Sequence, residues 1–239
     1  FVVFFVTLQK KEMDNKQATL ELGTKPVGKL LMQYAIPAII AMTASSLYNM
    51  VDSIFIGQGV GAMAISGLAI TFPFMNLSAA FGAAIGVGAS TLMSVKLGQK
   101  DYDTAKKILG NVVIMNLTLG IILGVVLLCF INPILRFFGA SDVTLPYARQ
   151  FMSVILVGNV VTHMYLGLNS MLRSTNRPQK AMYATFGTVL LNCILAPIFI
   201  FVLGWGIQGA AIATIMAQFV MLMWQLRLFS NKADMIHLS

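Results

Sequence analysis

One residue in this sequence stands out as a group that could do chemistry. Asp52 sits in the stretch LYNMVDSIFIG, residues 47–57, where everything nearby is suited to lipid. The eight acidic residues are Glu12, Asp14, Glu21, Asp52, Asp101, Asp103, Asp142 and Asp234, and only Asp52 falls inside a long apolar run. A carboxylate in the middle of a membrane-spanning helix costs about 2.5–3.5 kcal/mol on insertion scales, so it normally faces a bundle interior or a wet cavity. Trading its charge for a proton relieves that cost, which suits proton uptake and release. Tyr48 and Asn49, four and three residues earlier, share its helical face and are expected to meet it. Pro37, 15 residues before Asp52, removes a backbone hydrogen bond in mid-helix and is a candidate bending point. A second reading stays open. Asp52 lies 23 residues after Lys29, about 34 Å along a helix at ~1.5 Å per residue, which would put a hydrated carboxylate near the far interface.

Other apolar runs supply further polar groups, namely Asn159, Thr162, His163, Asn169, Asn192 and Thr214. Asn and Thr inside membranes commonly join helices by hydrogen bonds, each worth about 0.6 kcal/mol on average. His163 has two readings, a second proton carrier or a structural hydrogen bond. The sequence contains no CxxC, HExxH, Walker-type loop or GxSxG, so neither a metal site nor an enzyme is expected. Cys129 and Cys193 lie far apart in apolar runs and read as small hydrophobes. Tyr183 and Trp224, near the ends of runs, read as interface anchors.

The elements that must position these groups are membrane spans. Of the 239 residues 58% are hydrophobic and 10% charged, with a mean hydropathy of +0.83. Continuous apolar runs of this length mean helices, because lipid offers backbone groups no hydrogen bonds and a barrel would alternate with period two. Six spans are expected at about Leu30–Ile56, Met63–Val95, Ile108–Ile131, Ala148–Met171, Ala181–Leu203 and Ile207–Leu226. The second is too long for a perpendicular crossing and is expected to begin with an interfacial turn or to tilt. Ser141 or Asp142 is a candidate N-cap in the longest outer connection, and glycines are expected to make the tight turns near residues 57–61 and 203–206.

Fourteen of the sixteen Lys and Arg residues fall on one side if six helices alternate, leaving Arg136 and Arg149 on the other. That asymmetry puts both termini in the cytoplasm and assigns the net charge of +8 to topology and anionic headgroups, not to a nucleic-acid partner. The organisation is then a cytoplasmic segment over residues 1–29, a six-helix lobe over 30–229 and the start of a cytoplasmic linker over 230–239. The opening FVVFFVTL is apolar but too short to span, and MDNKQATLELG from Met13 looks like an ordinary start, so residues 1–12 are suspected not to be native.

Taken together, IPAIIAMTASSLYNMVDSIFIG, GVGASTLMSVKLGQKDYDTAKK and LRSTNRPQKAMYATFGTVLLNCILAPIFIFVLGWGIQGAAIATIMAQ resemble the MATE family of multidrug and toxin extrusion transporters over about residues 23–229. The resemblance implies one six-helix lobe of a twelve-helix antiporter in the bacterial inner (plasma) membrane. Such an antiporter exports cationic amphipathic drugs in exchange for H⁺ or Na⁺ and needs no other cofactor. It implies Asp52 as the ion-responsive carboxylate, with Tyr48, Asn192 and Thr214 around it, Pro37 as the bending point and Asn169 as a looser match. Asn49 and His163 join as candidate network or substrate contacts. Where many members have an acid in N-x-x-L-D-P, this sequence has NCILAP, with Ala196 in its place. A single carboxylate puts tight Na⁺ binding in doubt, because hard cations want several oxygens. With one lobe only, the chain is expected to be a fragment, a truncated product or a half-size protein completed by a missing lobe or a second copy. A lipid-linked oligosaccharide flippase or a non-transporting membrane protein is the alternative. The flippase reading is lowered by the lack of Arg or Lys inside any expected span.

Overall fold

Apolar runs rich in Leu, Ile, Ala and Gly, with few breakers, dictate long helices. A computed structural model describes residues 26–230 of the chain, without the side chains of residues 30, 33 and 34. Among the described residues all regular structure is helical. The expectations for residues 1–25 and 231–239, including the suspected non-native start and the linker, lie outside that range.

The helices are α1 (Val27–Gly59), α2 (Ala62–Gly98), α3 (Tyr102–Cys129), α4 (Ile131–Phe137), α5 (Leu145–Val157), α6 (Asn159–Ser174), α7 (Pro178–Pro197) and α8 (Gly206–Phe229). A π-helical turn, Ile198–Val202, continues α7. Among the described residues five helices are long and apolar enough to cross a membrane, six spans if the bent pair α5 and α6 counts as one.

Three expectations need correction. The second span has no interfacial turn: α2 is one helix of 37 residues, about 55 Å long at ~1.5 Å per residue, and Pro73 does not break it. The fourth span is not one straight helix but two, meeting at 58° around Gly158. Gly158 closes α5, and the Asn159 side chain that follows turns inward to bond other helices. The expected cap at Ser141 or Asp142 is also displaced, because α5 starts at Leu145 after Thr144. Ser141 and Thr144 bond each other in the preceding turn.

Tight turns use the backbone freedom expected of glycine. Gly61 has φ +114° between α1 and α2, and Gly204 and Gly206 have φ +67° and +55° between the π turn and α8. Gly57 and Gly59, by contrast, are helical. At the other end of the bundle, Lys100 and Asn176 take left-handed conformations that close α2 and α6, with Asp101 N–H bonding Lys96 O and Arg177 N–H bonding Leu172 O.

Asp101 then caps α3 by accepting from Thr104 N–H at 3.2 Å. The hydrogen bonds from Thr104, helped by the Lys96 ammonium at 3.5 Å, hold its carboxyl below the ordinary carboxylate range. A lowered folded-state pKa gives stability that is present above the ordinary value and lost as pH falls through the folded one. Asp101→Ala is therefore expected to lower the melting temperature at neutral pH. Thermal unfolding should show the gap to wild type narrowing below about pH 4. A gap independent of pH would contradict the charged cap.

Two apolar clusters hold the bundle. One, at the end with α4, includes Leu68, Phe74, Leu135, Phe151, Met152 and Ile207. The other includes Met93, Leu109, Leu168, Met171, Leu172 and Leu222. Outward faces stay apolar, as Leu47, Met50, Ile54, Ile121 and Ile122 illustrate. Lipid is as apolar as these side chains, so packing rests on close approach rather than on expulsion of water. Tyr183 is exposed, whereas Trp224 packs against the second cluster. Cys129 and Cys193 are free thiols.

Candidate functional site

Helix α1 turns one face toward α7 and α8. Pro37, Ala41, Asp52 and Ile56 are buried along it, and Tyr48 is half-buried in the same row. The exposed residues of α1 are equally apolar, so hydrophobicity does not mark this face; spacing does.

Tyr48, Asn192 and Thr214 come together from α1, α7 and α8. The hydroxyls of Tyr48 and Thr214 are 2.9 Å apart. Asn192 Nδ2 donates to Thr214 Oγ1 at 3.0 Å and to the Tyr48 hydroxyl at 3.4 Å. Thr214 Oγ1 in turn donates to Ala210 O at 3.1 Å. Thr214 spends its proton on Ala210, so Tyr48 supplies the one it shares with Thr214. The Asn192 amide fills the remaining acceptors, and the three side chains form a closed set.

Asp52 lies one helical turn beyond Tyr48 and is 6% exposed. Its Oδ1 is buried with no hydrogen-bond partner among the described residues. A carboxylate oxygen in that state is costly when charged and is a ready acceptor for a proton or cation. The hydrated helix-end reading does not fit a buried group. Ala196 is fully buried in the same apolar cluster as Ile56 and Ile200 and offers no side-chain oxygen. No group of three or more His, Cys, Asp or Glu that could hold a metal occurs among the described residues.

Two of the expected site residues lie elsewhere. Asn49 is exposed, and its backbone oxygen accepts from Ser53 on its own helix. It does not meet Asp52: at three residues' spacing its side chain falls on the flank of α1, not in the buried row. His163 is fully buried against α2, where Nε2 meets Ser78 O at 3.0 Å. Ser78 also donates to Asn159 Oδ1 at 3.1 Å, and Asn159 reaches Gly120 O at 3.4 Å. This polar knot ties α2, α3 and α6 just after the 58° bend, away from the cavity described next.

A cavity of about 270 Å³ opens among α1, α6, α7 and α8, with Tyr48, Asn169, Asn192 and Thr214 in its wall. Asn169 Nδ2 donates to Ala181 O at 3.1 Å, joining α6 to α7. Sequence reasoning missed other lining groups: Tyr165 and Arg173 on α6, Thr185 and Thr188 on α7, and Gln218 on α8. Gln218 accepts from Thr162 at 2.6 Å. The signal was present as polar stripes: Tyr165, Asn169 and Arg173 recur every four residues, as do Thr214 and Gln218. Arg173 lies past the expected end of its span, but α6 runs through it to Ser174 and it lines the cavity.

The family model described as MatE matches residues 37–198. The multidrug export protein MepA of Staphylococcus haemolyticus is 29% identical over 206 residues, 86% of this chain and 46% of the relative. MepA of Staphylococcus aureus is 28% identical over 211 residues, 88% of this chain and 47% of the relative. Among solved structures, an outward-facing multidrug resistance MATE family transporter of the MOP superfamily superposes with a TM-score of 0.82 at 28% identity, covering 87% of this chain and 46% of that one. A MATE structure in the bent conformation gives 0.81 at 27% identity, covering 97% and 49%. The chain thus spans about half the length of the relatives it matches. With the family model matching more than half of its residues and the helices superposing on solved MATE transporters, the chain belongs to the MatE family and has the fold of one lobe of a MATE transporter.

Proposed function

We infer that the chain acts as one lobe of a secondary active multidrug exporter, moving cationic amphipathic compounds out in exchange for H⁺ or Na⁺. The observation that carries this reading is the buried Asp52, with an unpartnered oxygen, one turn from the Tyr48–Asn192–Thr214 set in the cavity wall. Protonating Asp52, or loading it with a cation, removes a buried charge beside that set. The packing of α1 against α7 and α8 then changes, which is the kind of local event that biases alternating access. Pro37 leaves α1 a weak point for the movement. The names of the MepA relatives support drug export.

A proton is the favoured ion, because it needs one acceptor while Ala196 adds none for Na⁺. The cavity falls just below the ~300–1,000 Å³ of ligand sites, which fits a half-site completed by a second lobe or a second copy. The lobe is multi-pass in the plasma membrane with both termini cytoplasmic, a reading supported by the fourteen-to-two distribution of basic residues. Flippase activity toward an anionic lipid-linked glycan is the second reading, and Arg173 is the observation that favours it. Against it, Arg173 is the only charged side chain among the described residues of the cavity wall.

Everted vesicles containing the transporter, given external ethidium and either an acid lumen or a Na⁺-loaded lumen, test the function. Dye movement driven by the pH gradient alone is expected. Movement driven only by Na⁺ would reverse the ion assignment, and none under either gradient would overturn the exporter reading.

A further inference from the structure

The cavity wall carries a charge of the opposite sign from the one a purely cationic drug would need. Asp52 does not line it, and among its described lining residues only Arg173 is charged. Arg173 makes no ion pair with an acid among the described residues. Arg173, an exposed residue, also borders a small recess of about 30 Å³ with Pro37, Ala38, Pro178 and Met182, between α1 and the start of α7. A guanidinium presents a planar fork that matches a carboxylate through two parallel hydrogen bonds. The wall also offers hydroxyls and amides from Tyr165, Thr185, Thr188 and Gln218, with apolar surface from Met42, Leu166 and Val189. That combination of one charge, polar groups and apolar surface fits an amphipathic molecule bearing an anionic group.

We propose that Arg173 selects substrates carrying a carboxylate, so that this cavity prefers zwitterionic amphipaths over pure cations. The inference rests on the drug-binding reading above and narrows its substrate class. Among the described residues no acid has to be displaced for a bound carboxylate to reach the guanidinium, whereas a bound cation meets a like charge.

The test uses a matched pair of dyes, tetramethylrhodamine with its free carboxylate and the methyl ester of the same dye. Binding to the chain in lipid nanodiscs is followed by fluorescence anisotropy, with empty nanodiscs subtracting partition into lipid. Wild type is expected to hold the acid about fivefold more tightly than the ester, the scale of one partly exposed ion pair. Arg173→Gln should erase the preference by weakening the acid and easing the repulsion of the ester, and Arg173→Lys should keep part of it. The wild-type ratio decides the matter even if a variant fails to fold. Ester bound as tightly as acid, or both dyes weakened alike by Arg173→Gln, would overturn the selection by charge while leaving the drug-binding reading intact. Binding of neither dye to wild type would overturn both.

Discussion

Asp52→Asn is expected to reduce gradient-driven ethidium efflux to the level of cells lacking the transporter, while the amount of protein in the membrane stays unchanged. The asparagine amide occupies nearly the same volume as the carboxylate, so packing of α1 on α7 and α8 is kept. What is lost is the ability to change charge. The buried Oδ1 has no hydrogen-bond partner among the described residues, so its replacement breaks no bond seen there. The Tyr48–Asn192–Thr214 set also closes without it. A structural carboxylate would behave differently: its amide should be tolerated or even stabilising, because the cost of a buried charge disappears. Efflux unchanged in this variant would remove Asp52 from the ion pathway.

Gly120→Val should be the most damaging change for assembly of the lobe. A Cβ at Gly120 would lie 2.8 Å from Val160 Cα and 3.3 Å from its amide nitrogen, which is backbone and cannot rotate away. Helices α3 and α6 would have to separate, drawing Gly120 O away from Asn159 just beyond the bend. Overpacking of this kind costs about 1–3 kcal/mol, occasionally more, which should appear as a lower melting temperature and a broadened size-exclusion profile. Gly110 on the same helix provides the control, because a Cβ there meets nothing within 4 Å. Equal effects of Gly120→Val and Gly110→Val would show that the close approach of α3 and α6 is not what the fold depends on.

Much of the lobe was legible in the sequence because lipid imposes a severe filter. Only helices or closed barrels satisfy backbone groups there, so unbroken apolar runs indicate the number of spans and their approximate ends. The lone acid inside a run was equally plain, since charge in a span is rare and has to be accommodated. The bend at Gly158 was hidden because glycine is common throughout these helices, and only the tertiary bonds of Asn159 and the close packing of Ile215 give this one its meaning. Arg173 was placed outside its span by hydropathy, yet α6 continues through it because helix ends follow backbone hydrogen bonds and not polarity. Asn49 and Tyr48 looked equivalent by spacing, but a shift of one residue moves a side chain by about 100° around the helix. That rotation leaves Asn49 exposed while Tyr48 enters the cavity wall.

The most direct test of the central claim, that Asp52 is the group that takes up and releases the ion, is infrared difference spectroscopy on the chain in lipid nanodiscs cycled between neutral and acidic buffer. A carbonyl-stretch band from a protonated carboxylic acid shielded from water should appear on acidification in wild type and be missing in Asp52→Asn. A wild type without that band, or a band that persists in Asp52→Asn, would contradict the account.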